Sequence, residues 1–228
     1  MKRTLIAAAA LVVGSVLAFL WLGRSGEPLH KGKSAGYWRT ALQGDNPSLR
    51  REAITALGAL KAKDALPDLV AAMGDRDPQT RGKAAEALWS LGGSETKDAV
   101  PALMPLLKDK EAAVRLSATG ALGQIGPEAA AAVPALKGML KDSDAHVRAQ
   151  AATSLGRIGK ESATIVVALT QALKDRDKNV RVAAAYALGD FGAEARSAIP
   201  ALKETAREKD GDVKTAIAFS LKAIEGHK

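Results

Sequence analysis

An arginine and an aspartate recur together along most of this chain, and such pairs could support acid–base or anion-binding chemistry. Arg115, Arg148 and Arg181 are each 33 residues apart, and an aspartate lies before each of them. An active site is a single constellation, whereas a pair that returns in every repeat indicates a structural role. We therefore predict a ladder in which Arg148 pairs with an aspartate of an adjacent repeat and sets the register between repeats. A partly exposed pair contributes about 0–1 kcal/mol to stability.

Other reactive side chains are few. The three histidines, His30, His146 and His227, stand in predicted loops or tails without a second ligand at metal spacing, and the chain has no cysteine. Thiolate sites and disulfides are therefore excluded. No Ser-His-Asp arrangement, phosphate-binding glycine loop or dinucleotide fingerprint can be recognised. We predict a non-enzymatic protein with no catalytic, cofactor-binding or metal-binding residues and no cofactor.

Three columns of residues repeat in one register. The basic residue falls at Arg50, Arg81, Arg115, Arg148, Arg181 and Lys214, a leucine follows it by seven residues, and a proline stands at Pro67, Pro101, Pro134 and Pro200. Repetition at this period indicates a solenoid. The predicted repeats 1 to 6 lie near residues 45–74, 75–108, 109–141, 142–174, 175–208 and 209–226. The sixth repeat stops after its first helix.

Each repeat has the pattern of two helices. In repeat 3, apolar residues follow helical spacing over 114–125, and Gly126 then provides a C-terminal stop. Pro134 suits the first turn of a second helix, where its missing amide is not needed. Asp142 or Ser143 is predicted to cap the following helix. One such hairpin cannot bury its own apolar face, so stacked neighbours must bury it together.

The motifs D-x-x-V-R, A-x-x-A-L-G-x-I-G and A-V-P-A-L-x-x-x-L-x-D recur over residues 45–226. This stretch resembles HEAT repeats, specifically the short bacterial HEAT-like type that is also found in phycobilin lyase subunits. The resemblance implies an all-α fold, a right-handed α-solenoid of five to six hairpins within residues 36–228. It also implies a scaffold or binding surface, with the V-R helices lining the concave side.

The same resemblance raises enzymatic alternatives. Phycobilin lyase activity is the first, but the shared residues shape the fold and carry no active site. Deoxyhypusine hydroxylases use paired His-Glu motifs for iron, and this chain has no His-Glu pair. HEAT-like DNA glycosylases are a further alternative. The export signal described next disfavours both a cytoplasmic pigment enzyme and a DNA enzyme.

The N-terminus has the features of a secretory address. Lys2 and Arg3 precede residues 5–22, which carry no charge. A run of eighteen uncharged, mostly apolar residues can just span a bilayer as a helix. We favour an uncleaved N-terminal hydrophobic helix within residues 1–24, followed by a linker over 25–35, and expect the repeats outside the cytoplasm. Cleavage after Ala18, which would give a secreted or periplasmic protein, is the alternative.

Two tryptophans have both a structural and a functional interpretation. Tyr37, Trp38 and Leu42 are predicted to cover the open end of repeat 1 as a cap, although Trp38 could instead bind a ligand. Trp89 replaces a glycine found at this position in four other repeats. Its ring is predicted to fill a gap between helices, with ligand contact as the alternative.

The net charge of +8 does not indicate a nucleic-acid-binding protein. Residues 1–33 hold five basic residues and one acidic residue, whereas the remainder holds 28 basic and 24 acidic residues that are interleaved. No arginine-rich run with interleaved aromatics occurs. The charge pattern thus argues against a nucleic-acid partner, and binding of an anionic polymer is the alternative that a salt-dependent affinity would reveal.

Candidate binding residues lie on the V-R helices. Tyr186 and Phe219 fall two residues before a marker leucine, and Leu116 and Val182 follow a marker arginine. Clustered apolar side chains on a surface indicate a partner site, and the alternative is that one or more of them packs against its neighbours. We predict a non-catalytic scaffold outside the cytoplasm that binds a protein partner through Leu116, Val182, Tyr186 and Phe219.

Overall fold

The computed structural model describes residues 27–226, and this part of the chain is all-α. Its twelve α-helices are α1 (Ala35–Leu42), α2 (Pro47–Ala59), α3 (Leu66–Ala72), α4 (Pro78–Leu91), α5 (Val100–Leu106), α6 (Ala112–Ile125), α7 (Val133–Met139), α8 (Ala145–Ile158), α9 (Ser162–Ala172), α10 (Lys178–Asp190), α11 (Ile199–Thr205) and α12 (Gly211–Glu225). Within these residues the only β-bridge is an isolated one between His30 and Lys33, ahead of the repeats.

The helices form the predicted hairpins. We call α2, α4, α6, α8, α10 and α12 the long helices, and α3, α5, α7, α9 and α11 the short helices. Four of the short helices have a proline in the first two positions. The fifth, α9, has Val167 in place of the proline and is longer than the other four, at 11 residues. No helix follows α12 in the described residues, as predicted for a sixth repeat without its second helix.

The repeats share one continuous core along the stack. The marker leucines of repeats 1 to 5 are at most 1% exposed, whereas Leu221 at the end of the stack is half-buried. Long helices pack against the long helices of neighbouring repeats, while neighbouring short helices make few contacts with one another. The closer spacing on the long-helix side indicates the inner side of the curve.

Glycines permit this close approach. A Cβ atom added to Gly123 on α6 would lie 2.6 Å from Cβ and 2.7 Å from Cα of Ser154 on α8. Gly156 faces Ala187 in the same way, and Gly189 faces Ser220. Because Ser154 is fully buried, its hydroxyl needs a partner, and it donates to the carbonyl oxygen of Thr119 at 2.8 Å. These glycines therefore let neighbouring long helices approach closely.

The prediction that Asp142 or Ser143 caps α8 is wrong. The cap is Asp144, whose carboxylate accepts the backbone amides of His146 and Val147. Asp142 lies two residues earlier and is engaged elsewhere, because its carboxylate accepts the amide of Asp144 and the guanidinium of Arg115.

The predicted ladder is present. We define the arginine–carboxylate ladder as the pairs Arg50–Asp75, Arg81–Asp109, Arg115–Asp142, Arg148–Asp175 and Arg181–Glu208. In each pair, Nε and Nη2 of the arginine donate to both carboxylate oxygens of the partner. The four aspartates stand at the start of the next repeat, whereas Glu208 is the last residue of repeat 5. Nη1 donates to two carbonyl oxygens of the loop that precedes its own helix, which are Asp142 O and Ser143 O for Arg148.

These contacts stabilise the charged forms of both partners. The hydrogen bond from Arg81 lowers the pKa of Asp109, and that from Arg115 lowers the pKa of Asp142. Burial works against the ionised form of Asp175, yet its hydrogen bonds from Arg148 and from a backbone amide leave its pKa lowered. The ladder side chains are satisfied structural groups, and this accounts for their return in every repeat.

The N-terminal cap forms as predicted, with two differences. Trp38 and Leu42 on α1 are 3% and 7% exposed and cover repeat 1, but Tyr37 points outward and is 43% exposed. His30, which the sequence places in a loop, is half-buried and belongs to the cap, because its ring meets that of Trp38 edge-on at 6.1 Å. The tryptophan Nε1 also donates to the His30 carbonyl oxygen at 3.3 Å, which fixes the indole.

The predicted hydrophobic helix over residues 5–22 lies outside the described residues. None of the helices between residues 27 and 226 combines the length and the apolar character needed to cross a bilayer.

Candidate interaction surface

The position two residues before the marker leucine recurs on every long helix, where it is exposed in four repeats, half-buried in repeat 4 and buried at the glycine of repeat 3. These residues are Thr55, Glu86, Gly120, Thr153, Tyr186 and Phe219. We call the surface around them the long-helix face. In the first four repeats these side chains are small or polar, and in the last two they are aromatic. The long-helix face therefore changes in character along the solenoid.

Tyr186 on α10 and Phe219 on α12 come together on this face. Their ring centroids are 5.5 Å apart with an interplanar angle of 58°, within the range of attractive aromatic pairs. Tyr186 is 40% exposed and Phe219 is 52% exposed, although each ring contacts the other. Gly189 lies beneath Phe219, because a Cβ there would be 3.4 Å from a ring carbon of the phenylalanine. The pair is thus supported from below and open to solvent above.

The other two candidate residues are less exposed. Val182 is one helical turn before Tyr186 on α10, is half-buried and packs against the core. Leu116 is also half-buried and lies on α6, two repeats away from the aromatic pair. The structure therefore joins Tyr186 and Phe219 directly and places Val182 beside them, but it does not bring Leu116 into the same cluster.

Asp190 lies at the edge of the aromatic pair. It follows Tyr186 by four residues on α10, so both side chains share one face of the helix. Although the residue is exposed overall, its carboxylate approaches Gly156 on the neighbouring long helix. Burial there raises the pKa of Asp190, and the charge of Arg157 opposes that shift.

Trp89 fills space between two repeats. Its ring lies on Gly120 of α6, where an added Cβ would come within 2.6 Å of two ring carbons. The indole is half-buried and packs against the core. The prediction that Trp89 fills a gap between helices is therefore the one that the packing favours over ligand contact.

A cleft that the sequence did not predict lies between α4 and α6. It has a volume of about 540 Å³, and its lining includes Gln79, Gly82, Lys83, Glu86 and Glu111. A smaller cavity of about 230 Å³ lies on the other side of Lys83, between α2 and α4. The available signal was Gly82, because a glycine directly after the marker arginine leaves an opening above α4.

The cleft has a mixed-charge lining. Lys83 and Glu86 pair with each other along α4, with 3.5 Å between Nζ and Oε2, and Glu111 lies across the opening. No histidine lines the cleft. Between residues 27 and 226, no group of three or more histidine, aspartate or glutamate side chains could hold a metal ion.

Known structures and families resemble this chain along the repeats. The sequence model of HEAT repeats matches residues 37–98, 84–139, 100–168 and 133–222. The chain matches no curated protein. Two engineered proteins from a structural genomics consortium share the fold, with TM-scores of 0.67 and 0.69 and identities of 22% and 23%. The matches cover 84% and 85% of this chain and 96% and 99% of theirs.

A designed armadillo repeat protein in complex with the peptide (KR)4 is also similar. Its TM-score is 0.70 at 19% identity, and the match covers 84% of this chain and all of that one. At these identities the solved structures support the fold alone. None of these matches tests the narrower resemblance to phycobilin lyase subunits. The family matches cover most of the chain and coincide with the stacked hairpins, and the chain therefore belongs to the HEAT repeat family.

Proposed function

We propose that this protein is a non-catalytic scaffold that binds a segment of a partner protein on the long-helix face. The scaffold is a right-handed solenoid displayed outside the cytoplasm and tethered to the membrane by residues 5–22. The fold supports this proposal because HEAT repeats present a long continuous surface.

The exposed aromatic pair carries the proposal. Tyr186 and Phe219 together offer two rings whose outer faces are in water, with Val182 next to them. An apolar side chain that covers these rings removes apolar surface from water, and each Å² of apolar surface buried contributes about 25 cal/mol to the binding free energy. Tyrosine is also enriched among residues that dominate binding energy. The partner segment would therefore carry a large apolar side chain that seats on this pair.

The cleft provides a second point of attachment along the same face. It lies three inter-repeat steps before the aromatic pair, and neighbouring helices pack at about 8–10 Å. An extended chain advances about 3.3 Å per residue, so roughly eight residues would connect the two places. Leu116 lies on α6, between the cleft and the aromatic pair. We propose a partner segment that crosses the long helices, and a designed armadillo repeat protein of similar fold is likewise in complex with a peptide.

Site-specific photocrosslinking tests the surface. A photoreactive residue at position 186 or 219 should crosslink a partner protein in cells of the source organism. The same residue at position 167 serves as the control, since Val167 is 58% exposed but belongs to the short helix α9. Equal crosslinking at all three positions, or crosslinking at 167 alone, would exclude the long-helix face as the binding surface.

The tether has its own test. Residues 5–22 lack charge and follow Lys2 and Arg3, which supports an uncleaved anchor with the repeats outside. The protein should stay with membranes after alkaline carbonate extraction, and external protease should digest the repeats in spheroplasts. A mature chain that begins at Phe19 would instead establish cleavage after Ala18.

A further inference from the structure

Two large apolar side chains are exposed at the N-terminal end of the solenoid. Leu29 is 56% exposed and Tyr37 is 43% exposed. They are far from the Tyr186–Phe219 pair, because α1 and α10 stand at opposite ends of the stack. A capping element normally presents a polar outer face, so exposed apolar side chains on this cap require an explanation.

The outward position of Tyr37 is fixed by its neighbours. Its ring meets Trp38 edge-on at 5.1 Å, and the tryptophan is buried in repeat 1. The Lys33 ammonium lies 4.5 Å above the tyrosine ring, a cation–π contact. Two backbone hydrogen bonds of 3.0 Å between His30 and Lys33 close the turn that carries this lysine. These contacts hold Tyr37 and Lys33 in place on the outside of the cap.

The charge of this region has one sign. Residues 28–43 contain Lys31, Lys33 and Arg39 and no acidic residue. Lys31 and Arg39 reach back to carboxylates of repeat 1, whereas Lys33 stays beside the exposed Tyr37. Tyrosine and lysine together are typical of membrane–water interfaces, where the ring lies among headgroups and the ammonium meets lipid phosphates.

The chain that precedes the cap indicates what covers it. The apolar run ends at Leu22, only seven residues before Leu29. Seven residues span at most about 25 Å, because an extended chain covers 3.3–3.6 Å per residue. If residues 5–22 cross the bilayer, as proposed above, then the cap cannot lie farther than this from the membrane surface.

We infer that Leu29 and Tyr37, together with Lys33, form a contact with the surface of an anionic bilayer. This inference rests on the proposed tether. It orients the solenoid with its N-terminal end on the membrane and repeats 5 and 6 away from it. Five inter-helix steps of about 8–10 Å separate α1 from α10, so the Tyr186–Phe219 pair would lie roughly 40–50 Å from the bilayer.

The absence of cysteine allows a direct test with single labels on the full chain. Thr40 is exposed and lies one turn after Tyr37 on α1, so Thr40→Cys can carry an environment-sensitive fluorophore without removing the proposed contact residues. Val167→Cys is the control for a solvent-exposed label. Each protein is reconstituted in vesicles of phosphatidylcholine with phosphatidylglycerol, and quenching by aqueous iodide and by headgroup-level spin-labelled lipid is measured.

The expected result is a label at 40 that is several-fold less accessible to iodide than the label at 167 and is quenched by the spin-labelled lipid. Leu29→Ser with Tyr37→Ser should abolish this protection, and Lys33→Gln should reduce it. These side chains are exposed or partly exposed, so an unchanged melting curve confirms that the variants fold.

Two results would overturn the inference in different ways. If the protein resists carbonate extraction but the label at 40 is as accessible as that at 167, the tether stands and the membrane contact does not. If the protein is extracted from the vesicles, the tether itself fails and the contact falls with it. Equal protection in pure phosphatidylcholine would remove the role of anionic lipid.

Discussion

Arg148 uses all three nitrogen atoms of its guanidinium group in the fold. Nε and Nη2 bind the Asp175 carboxylate at 2.8 and 2.9 Å, and Nη1 binds two carbonyl oxygens of its own repeat. The sequence predicted the pair but underestimated its burial, since the two side chains are only 6% and 13% exposed. The interaction spans two repeats, and its burial depends on the loop between them.

Arg148→Met should therefore destabilise the protein by about 3–5 kcal/mol, because it leaves a buried carboxylate without its partner. The measurement is the urea-induced unfolding midpoint followed by circular dichroism. Lys214→Met is the matched control. Lys214 holds the same position in repeat 6, is exposed, and forms no ion pair within the described part of the chain. Its replacement should change stability by less than about 0.5 kcal/mol. Similar small losses for both variants would contradict a buried ladder.

Two glycines on different helices should respond to alanine with opposite signs. Gly123→Ala places a methyl group against the backbone of Ser154 and should cost about 1–3 kcal/mol through overpacking. Gly138→Ala on α7 meets no atom within 4 Å and should stabilise the protein by about 0.5–1 kcal/mol, because alanine loses less entropy in a helix. Thermal melting of both variants is the measurement. A gain for Gly123→Ala would mean that α6 and α8 are farther apart than described.

The helical hairpins could be predicted because three columns of residues share one period. In each repeat the apolar stripe marks the helix itself, a glycine such as Gly126 marks a helix C-terminus, and a proline marks the first turn of the short helix. Each of these signals is local and does not depend on the neighbouring repeats. The N-cap of α8 could not be assigned in this way. Both Asp142 and Asp144 are good caps in isolation, and the choice depends on Arg115 of the previous repeat, which occupies Asp142.

Part of the candidate surface could likewise be predicted. Tyr186 and Phe219 were expected to cluster because they hold equivalent positions in adjacent repeats, and they do. The cleft beside Lys83 was not predicted, because it arises from an absent side chain at Gly82. The exposure of Tyr37 was also missed. Tyr37 and Trp38 are adjacent on α1 and face different directions, so only one of them can cover repeat 1.

The contact between α4 and α6 exchanges the usual sizes of two side chains. At the α6–α8 contact, the residue after the marker leucine is Gly123, and the residue two before the next marker leucine is the larger Thr153. At the α4–α6 contact the corresponding residues are the large Trp89 and Gly120. The ring occupies the space that the missing side chain of Gly120 leaves open. The two departures from the repeat pattern therefore compensate each other.

This compensation predicts energetic coupling between Trp89 and Gly120. Trp89→Gly alone should cost about 2–3 kcal/mol, since it removes a half-buried ring. Gly120→Thr alone should also destabilise, because its side chain would meet the indole. The double variant recreates the Gly123–Thr153 combination and should be more stable than the sum of the single changes by about 1–3 kcal/mol. Strictly additive costs would show that the two positions do not share one space.

The stack is finished differently at its two ends. At the start, α1 covers repeat 1 with Trp38. At the finish, Lys222 on α12 holds the position that is glycine in four earlier repeats, and it is exposed. Lys222 therefore differs from Gly189, where the glycine lets α12 approach closely. Lys214 replaces the ladder arginine in the same helix and forms no ladder pair within the described residues.

The ladder also gives the whole solenoid a pH dependence. The pKa values of Asp109 and Asp142 are lowered by their arginine partners, and the Thr80 hydroxyl lowers the pKa of Asp77 to about 2. A carboxyl group whose pKa is lower in the folded state stabilises that state above its unfolded value of about 3.9. This stabilisation disappears as the pH falls through the folded pKa, because the proton then binds both states.

Stability should consequently be nearly constant between about pH 5 and 8 and decline steeply from about pH 4 towards pH 2. The urea unfolding midpoint, measured at intervals of pH, is the test. Asp142→Asn is the informative variant, since it removes one titrating carboxylate of the ladder while keeping a side chain of similar shape. It should be less stable than the parent at pH 7 and lose less on acidification, so the two curves approach each other near pH 2. Curves that stay parallel over this range would show that protonation of Asp142 is not linked to folding.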